Sequence, residues 1–275
     1  MEEQKILSVS NLQTDVQAHN GLSPLIKDIS FQLKKGKILG IVGESGCGKT
    51  VTSMSILQLH NKQTMQVRGS IQLKGQELNG IGEKKMRSIR GKEVAFIMQN
   101  PMNAFTPVFT IGQQFIETLR THLSLSKKEA AELAVETMQS VNLKDPKELM
   151  KKYPFELSGG MLQRVMITIT ASLKPALIVA DEPTTALDLS SQLSVLRLLE
   201  DVRSTYGTSI LLISHDLGVI SEMADDVIVM QNGQIVESAP VLTLFDKPNH
   251  EYTKRLLRTR PSLYAEGQPY FYSNG

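Results

Sequence analysis

Cysteine is almost absent: Cys47 is the only one in 275 residues. A lone thiol excludes an internal disulfide and any cysteine-built metal or iron–sulfur cluster within one chain. An excess of one charge sign is lacking too, since 30 Lys and Arg against 28 Asp and Glu leave a formal net charge of +2. That balance gives no global electrostatic footprint for nucleic acid or anionic lipid. No apolar run approaches the length needed to span a bilayer, and Met1-Glu-Glu-Gln-Lys5 is not the basic start of a secretory leader. Repeats and low-complexity tracts are missing as well. A cytoplasmic protein is the simplest expectation. What the composition does hold, 41% apolar and 21% charged residues, suits a globular protein with a sizeable core. The length fits one large domain with an inserted subdomain.

The most informative stretch is Ile38-Leu-Gly-Ile-Val-Gly-Glu-Ser-Gly-Cys-Gly-Lys-Thr50. Ile38–Val42 reads as a buried strand, and Val51–Leu57, with Met54 and Leu57 at helical spacing, reads as a helix. Between them lies Gly-x-x-x-x-Gly-Lys-Thr, in the strand–loop–helix context of a phosphate-binding loop. Gly43, Gly46 and Gly48 let the backbone curl so that its N–H groups face one concavity, with the helix's positive end behind them. Lys49 adds a point charge for β- and γ-phosphates, and the Thr50 hydroxyl can ligate Mg²⁺. The plainer alternative is a glycine turn on a strand.

Around this loop the chain alternates between strand and helix signals. Residues 4–12 and 25–33 alternate loosely as strands, and Val67–Leu73 is another, giving antiparallel β material. The run Lys84, Lys85, Arg87, Arg90, Lys92 reads as a solvated helix face. Val94–Met98 is an apolar strand that ends at Gln99, before the proline-stopped loop Asn100–Pro107. Ligands of open α/β sheets bind at such strand ends. From about 111 to 173 the pattern is helical, over Ile111–Leu119, Ser126–Val141 and Leu162–Leu173, with a capping box expected at Ser126-Lys-Lys-Glu129. Ser158-Gly159-Gly160 opens the last of these helices, either as a second anion cradle or as an ordinary N-cap.

Ala176–Ala180 is a buried strand that runs into Asp181-Glu182. Two acids there are costly without a task. Asp181 can hold a Mg²⁺ shell while Glu182 polarises water for attack on a γ-phosphate, the alternative being a solvated acidic turn. Ser190–Val202 is an amphipathic helix, and Ser209–Ser214 is a further strand closed by His215, which is either a γ-phosphate contact or a turn residue. His19, His60, His122 and His250 show no ligand spacing and are expected at the surface. Asn232-Gly233 predicts a hairpin between Val227–Gln231 and Gln234–Glu237. After Pro240, a helix over Tyr252–Leu257 precedes a polar tail.

The order Gly43–Thr50, Gln99, Leu157-Ser-Gly-Gly160, Asp181-Glu182, Ala186-Leu-Asp188, His215 resembles the nucleotide-binding subunits of ABC transporters, over about residues 5–255. The resemblance implies an α/β fold: a P-loop, RecA-like ATPase core with an antiparallel β subdomain and an inserted α-helical subdomain. Residues 1–99 would hold the β subdomain and the first part of the core, 100–173 the helical subdomain, 174–240 the rest of the core, and 241–275 a C-terminal helix and tail. It further implies ATP and Mg²⁺ as ligands. ATP would be bound by Gly43, Glu44, Ser45, Gly46, Cys47, Gly48, Lys49, Thr50, Val51 and Gln99. Thr50, Gln99 and Asp181 would serve the metal, Glu182 as general base and His215 as switch histidine. Asp188 would be the D-loop acid, and Ser158, Gly159 and Gly160 the signature, lent in trans to a second subunit's phosphate loop. A chain with one copy of each motif is then half of a pair.

Two departures stand out. Val16 occupies the region where many family members carry an adenine-stacking aromatic, and no Phe, Tyr or Trp occurs before Phe31; weaker nucleotide affinity and poor adenine selectivity are expected. Met161 stands where the signature usually has Gln. Ile97–Pro107, Tyr153–Arg164 and His250-Glu-Tyr-Thr-Lys-Arg-Leu-Leu257 look like the dipeptide/oligopeptide/nickel importer branch. Met161 and the absence of a C-terminal cysteine cluster look most like its nickel or metal–metallophore ATPases. That branch implies a heterodimer with a related ATPase, two membrane permeases, an external binding protein, and a peripheral place on the cytoplasmic face of the cell membrane, with no nucleic acid. Peptide import is the neighbouring alternative. A soluble ABC ATPase of translation or DNA repair is the alternative of another class, although the fused second motif set and the long coiled coils of such proteins are missing. A regulator without catalysis is disfavoured by Glu182 and His215.

Overall fold

The computed structural model describes residues 4–18 and 21–258. The expected polar tail beyond 258, His19, and the first three residues lie outside them. Tertiary contacts divide the chain into two compact units, residues 1–82 with 209–275, and residues 83–208.

The first unit contains an antiparallel sheet in the order Gly21–Lys34, Lys5–Ala18, Met65–Leu73, Gln76–Glu77. Its first strand continues well past the expected residue 12, and its register explains why alternation faded there. Leu7 and Val9 face inward at odd positions, whereas Leu12 and Thr14 are buried at even ones. The parity changes at a β-bulge, where the register slips between Val9 and Leu12 and Asn11 takes φ 48°. One extra residue moves every later side chain to the other face. Opposite the bulge, Gly69 is obligatory, since a Cβ there would lie 2.4 Å from the Asn11 carbonyl oxygen.

A second, parallel layer in this unit centres on Ile38–Val42, buried throughout and flanked by Ser209–Ile213 and Asp226–Gln231. Burial on both faces accounts for their continuous apolar character. Asn232 and Gly233, at φ 51° and 78°, turn the chain into the antiparallel strand Gln234–Pro240, as the Asn-Gly pair predicts. Pro240 then opens the short helix Val241–Asp246, which sequence patterning missed because Leu244 is its single buried residue. The last described helix is Glu251–Arg258.

The second unit pairs Val94–Ile97 with Leu177–Asp181 in parallel, Ile97 opposite Ala180. Its longer helices are Ile111–His122, Lys127–Ser140, Gly159–Ser172 and Leu189–Tyr206. The Ser126/Glu129 capping box forms as expected, and a second one joins Thr110 and Gln113. His122 is half-buried rather than at the surface, stacked over Gly91 where a Cβ would meet its ring at 2.6 Å. Burial, helped by the Lys92 charge, pushes its pKa down. Among the described residues, no helix is long and apolar enough to cross a membrane.

Candidate functional site

In the first unit the strand Ile38–Val42 delivers the chain into Gly43, Gly46 and Gly48, whose φ values are 153°, 80° and 111°. Backbone crowding makes Gly43 indispensable, and the left-handed φ of Gly48 disfavours any other residue there. A Cβ on Gly43 would fall 2.2 Å from the Met230 carbonyl oxygen, and one on Gly48 would fall 2.5 Å from Ile26 Cδ1. The hairpin turn props the loop from behind: Gly233 N–H donates to the Cys47 carbonyl at 3.0 Å, and Lys27 N–H donates to the Gly233 carbonyl at 2.8 Å. Burial pushes the Cys47 thiol up, with the Lys49 charge and nearby hydrogen bonds offsetting part of the effect; the Lys49 ammonium donates weakly to its sulfur at 3.9 Å.

Lys49 opens the helix Lys49–Ile56 and is only 6% exposed. Its ammonium donates to the carbonyl oxygens of Gly43 at 2.8 Å and Glu44 at 3.0 Å. Among the described residues no ion pair includes it. A cation so placed, next to a left-handed glycine loop and a helix start, fits a polyanion such as a nucleotide's phosphates. Glu44, Ser45, Gly46 and Thr50 are exposed and Val51 is half-buried. His215 lies in the same unit and on the same side of the sheet: Ile213 pairs in parallel with Ile41, and Ser214 N–H donates to the Ile41 carbonyl at 3.2 Å. Gly43 and His215 therefore leave the carboxyl ends of neighbouring parallel strands, where α/β sheets bind ligands.

The second unit repeats this arrangement. Gln99 stands two residues beyond Ile97 and Asp181 one beyond Ala180, and Ile97 and Ala180 are paired in parallel register, so both candidates leave the same end of the pair. Gln99 is exposed and Asn100 caps the turn after it, accepting from Met102 N–H at 3.0 Å. Asp181 is 5% exposed. Glu182 has φ 50°, a left-handed conformation that costs a non-glycine residue about 1–3 kcal/mol. Thr185 holds it there, its hydroxyl donating to Glu182 Oε2 at 2.7 Å and its N–H to the Glu182 carbonyl at 3.2 Å. Sequence reading assigned nothing to Thr185.

The signature and D-loop residues meet within this unit. Ser158 caps Gly159–Ser172, accepting from Met161 N–H at 3.3 Å, and Ser158 and Gly159 are exposed. Gly160 is buried against Ser191, whose Oγ would be 2.6 Å from an added Cβ. Ser191 is in turn held by Asp188, which accepts from its N–H at 3.0 Å and its hydroxyl at 2.6 Å, and from the Ser190 hydroxyl at 2.6 Å. These hydroxyl bonds, Ser190 first, hold the Asp188 carboxyl far below the usual carboxylate range. Along the sequence, Ser190 and Ser191 show nothing beyond the start of a helix.

Thr50 in the first unit, and Gln99 and Asp181 in the second, each carry an oxygen donor of the kind Mg²⁺ prefers. Among the described residues no cluster of three or more His, Cys, Asp or Glu forms a metal cage.

In the first unit, the glycine loop and its buried lysine define a P-loop nucleotide-binding cassette. A family model described as ABC transporter matches residues 26–185. The oligopeptide transport ATP-binding protein AppD of Bacillus subtilis is 46% identical over 262 residues, which is 95% of this chain and 80% of that protein. The metal-staphylopine import system ATP-binding protein CntD of Staphylococcus aureus is 42% identical over 259 residues, 94% and 93% of the two chains. The fold is shared with the ATP-binding cassette MJ0796, solved as a dimer bound to ADP and Pi (TM-score 0.76, 22% identity, 86% of this chain and 98% of that one). It is shared too with cbiO1 of Clostridium perfringens (TM-score 0.74, 21% identity, 94% and 96% covered). The chain belongs to the ABC transporter family, in the branch of importer ATP-binding subunits, and is an ATPase.

Proposed function

We propose that this chain is one half of an importer's paired ATPase, working with a second, related ATPase chain, two permeases and an external binding protein, at the cytoplasmic face of the membrane. The exposed Ser158-Gly159 tip carries the pairing. A chain with a single phosphate loop has no evident use for a second helix-end cradle of its own, whereas a partner's loop does. The loop Gly43–Gly48 and Lys49 bind and orient the phosphates of ATP. Thr50, Gln99 and Asp181 would hold Mg²⁺, which would supply charge neutralisation at the phosphates. Glu182 takes the proton of the attacking water, and His215 contacts the γ-phosphate. Asp188 keeps Ser191 seated under Gly160 and so presents the signature to the partner.

For cargo we favour nickel or a metal–metallophore complex. Met161 in the signature supports this, as does the likeness to CntD over nearly the whole of both chains. Di- or oligopeptide import is the second reading, favoured by AppD at 46% identity and by a probable peptide ABC transporter ATP-binding protein of Sinorhizobium fredii at 44% over 257 residues, 93% of this chain and 77% of that one. Deleting the chain from its host separates the two. Loss of chelated-nickel accumulation with peptide uptake intact supports the first reading, and the reverse result overturns it.

A further inference from the structure

The stretch His250–Leu257 has no part in the chemistry above, yet it delivers a side chain to the phosphate loop. Tyr252, on the helix Glu251–Arg258, is 4% exposed, and its hydroxyl accepts a hydrogen bond from Glu44 N–H at 3.0 Å. That N–H belongs to the same peptide group whose carbonyl, on Gly43, receives the Lys49 ammonium at 2.8 Å. One peptide plane is thus gripped at both edges, by a hydroxyl on its N–H and an ammonium on its C=O. The plane turns through the ψ of Gly43 and the φ of Glu44, and Gly43, already at φ 153°, has no side chain to oppose such a turn. A turn of the plane would surrender both bonds and re-aim the lysine.

The helix bearing Tyr252 is itself tied down. Glu237, on the strand Gln234–Pro240, accepts from the N–H groups of Asn249 at 2.8 Å and His250 at 3.1 Å. His250 Nδ1 accepts from Tyr252 N–H at 3.1 Å, and the Arg255 guanidinium lies 5.4 Å from the centre of the Tyr252 ring. A continuous line of contacts runs from Glu237 through the helix start to Tyr252, the Gly43–Glu44 peptide and Lys49. All of it lies outside the residues that match the family model, apart from the loop itself.

We propose that Tyr252 is a positioning residue for ATP: it fixes the Gly43–Glu44 peptide and through it the direction of the Lys49 ammonium. This makes the C-terminal helix part of the nucleotide site. The proposal rests on the reading of residues 43–50 as the ATP loop.

Tyr252→Phe in the full chain tests it, because the ring, its burial and the Arg255 contact persist while only the hydroxyl goes. Amide hydrogen exchange over residues 42–50, equilibrium Mg·ATP binding and thermal unfolding are measured side by side. One neutral hydrogen bond corresponds to about a two- to tenfold effect. The expected result is that Glu44 exchanges several-fold faster and ATP binds roughly two- to tenfold more weakly, with the unfolding temperature nearly unchanged. Glu237→Gln, which loosens the helix start at a distance, should give a smaller change of the same kind, and it serves as the test if the Tyr252 variant does not fold. Unchanged loop exchange and unchanged ATP affinity in a folded variant, while ATP still protects residues 42–50 in the parent, overturn the role of Tyr252 alone. Absence of that protection in the parent overturns the ATP-loop reading with it.

Discussion

Replacing Glu182 by Gln isolates the chemical step from everything else the residue does. The side chain keeps its length and shape, and the amide oxygen can still accept from the Thr185 hydroxyl that now sits 2.7 Å from Oε2. The left-handed backbone at φ 50° is held by the Thr185 N–H as before, so unfolding should shift by no more than about 0.5 kcal/mol, as for a substitution that disturbs no packing. What disappears is basicity, because an amide does not take up a proton from water. A positioned general base contributes roughly 10²- to 10⁴-fold, equivalent to about 3–5 kcal/mol of barrier. Phosphate release at saturating Mg·ATP, measured with the chain in its assembled transporter, should fall by that factor, and ATP affinity should hold or rise. Glu182→Asp provides the geometric control: it retains the carboxylate but withdraws it by one methylene, and a misplacement of about 1 Å can cost 10²-fold. Turnover in Glu182→Gln above about a tenth of the parent's would refute the base assignment and return Glu182 to the role of a turn residue.

Gly160→Ala should destabilise the protein by about 1–3 kcal/mol through overpacking, because its Cβ would stand 2.6 Å from Ser191 Oγ and 2.7 Å from Ser191 Cβ. Ser191→Gly alone loses the Asp188 hydroxyl bond and adds a helical glycine costing about 0.5–1 kcal/mol. The double variant should nonetheless be more stable in thermal unfolding than the sum of the two losses; an additive double variant would rule out the contact as the cause. Val16→Tyr should raise the preference for ATP over GTP, since Val16 is half-buried, opposite Ser23 and Met65 in the antiparallel sheet, and brings no ring to stack on a base. The expected gain is about 0.5–1.5 kcal/mol by competitive titration, and a parent that already discriminates strongly against GTP would show that the base is held by other means.

The phosphate loop was legible because its glycines answer to local backbone demands: Gly43 is needed where a Cβ would strike the Met230 carbonyl, Gly48 where φ is 111°, and the strand before them is apolar throughout. Asp181 and His215 were found for a similar reason, as polar residues closing buried strands. The first strand was only half legible, since the bulge at Asn11 reverses which positions face inward and a period of two cannot be followed across it. Thr185, Ser191 and Tyr252 escaped notice for a different reason. Each acts through a partner that folding brings to it: a side chain three residues back, a glycine on another helix, and a peptide group 208 positions away. The residues of His250–Leu257 were visible as a resemblance, but nothing along the chain says where the tyrosine goes.

The hairpin tip at Asn232-Gly233 is more than a reversal of direction. Gly233 offers its N–H to the back of the phosphate loop and its carbonyl to the outer sheet at Lys27, and an added side chain would collide with the Leu25 carbonyl at 2.3 Å. It works as a keystone wedged between two arches. Any reshaping of the loop around Cys47 must therefore tug on strand Gly21–Lys34, and a bulkier residue at this tip would loosen the cradle without touching a single group that meets the nucleotide.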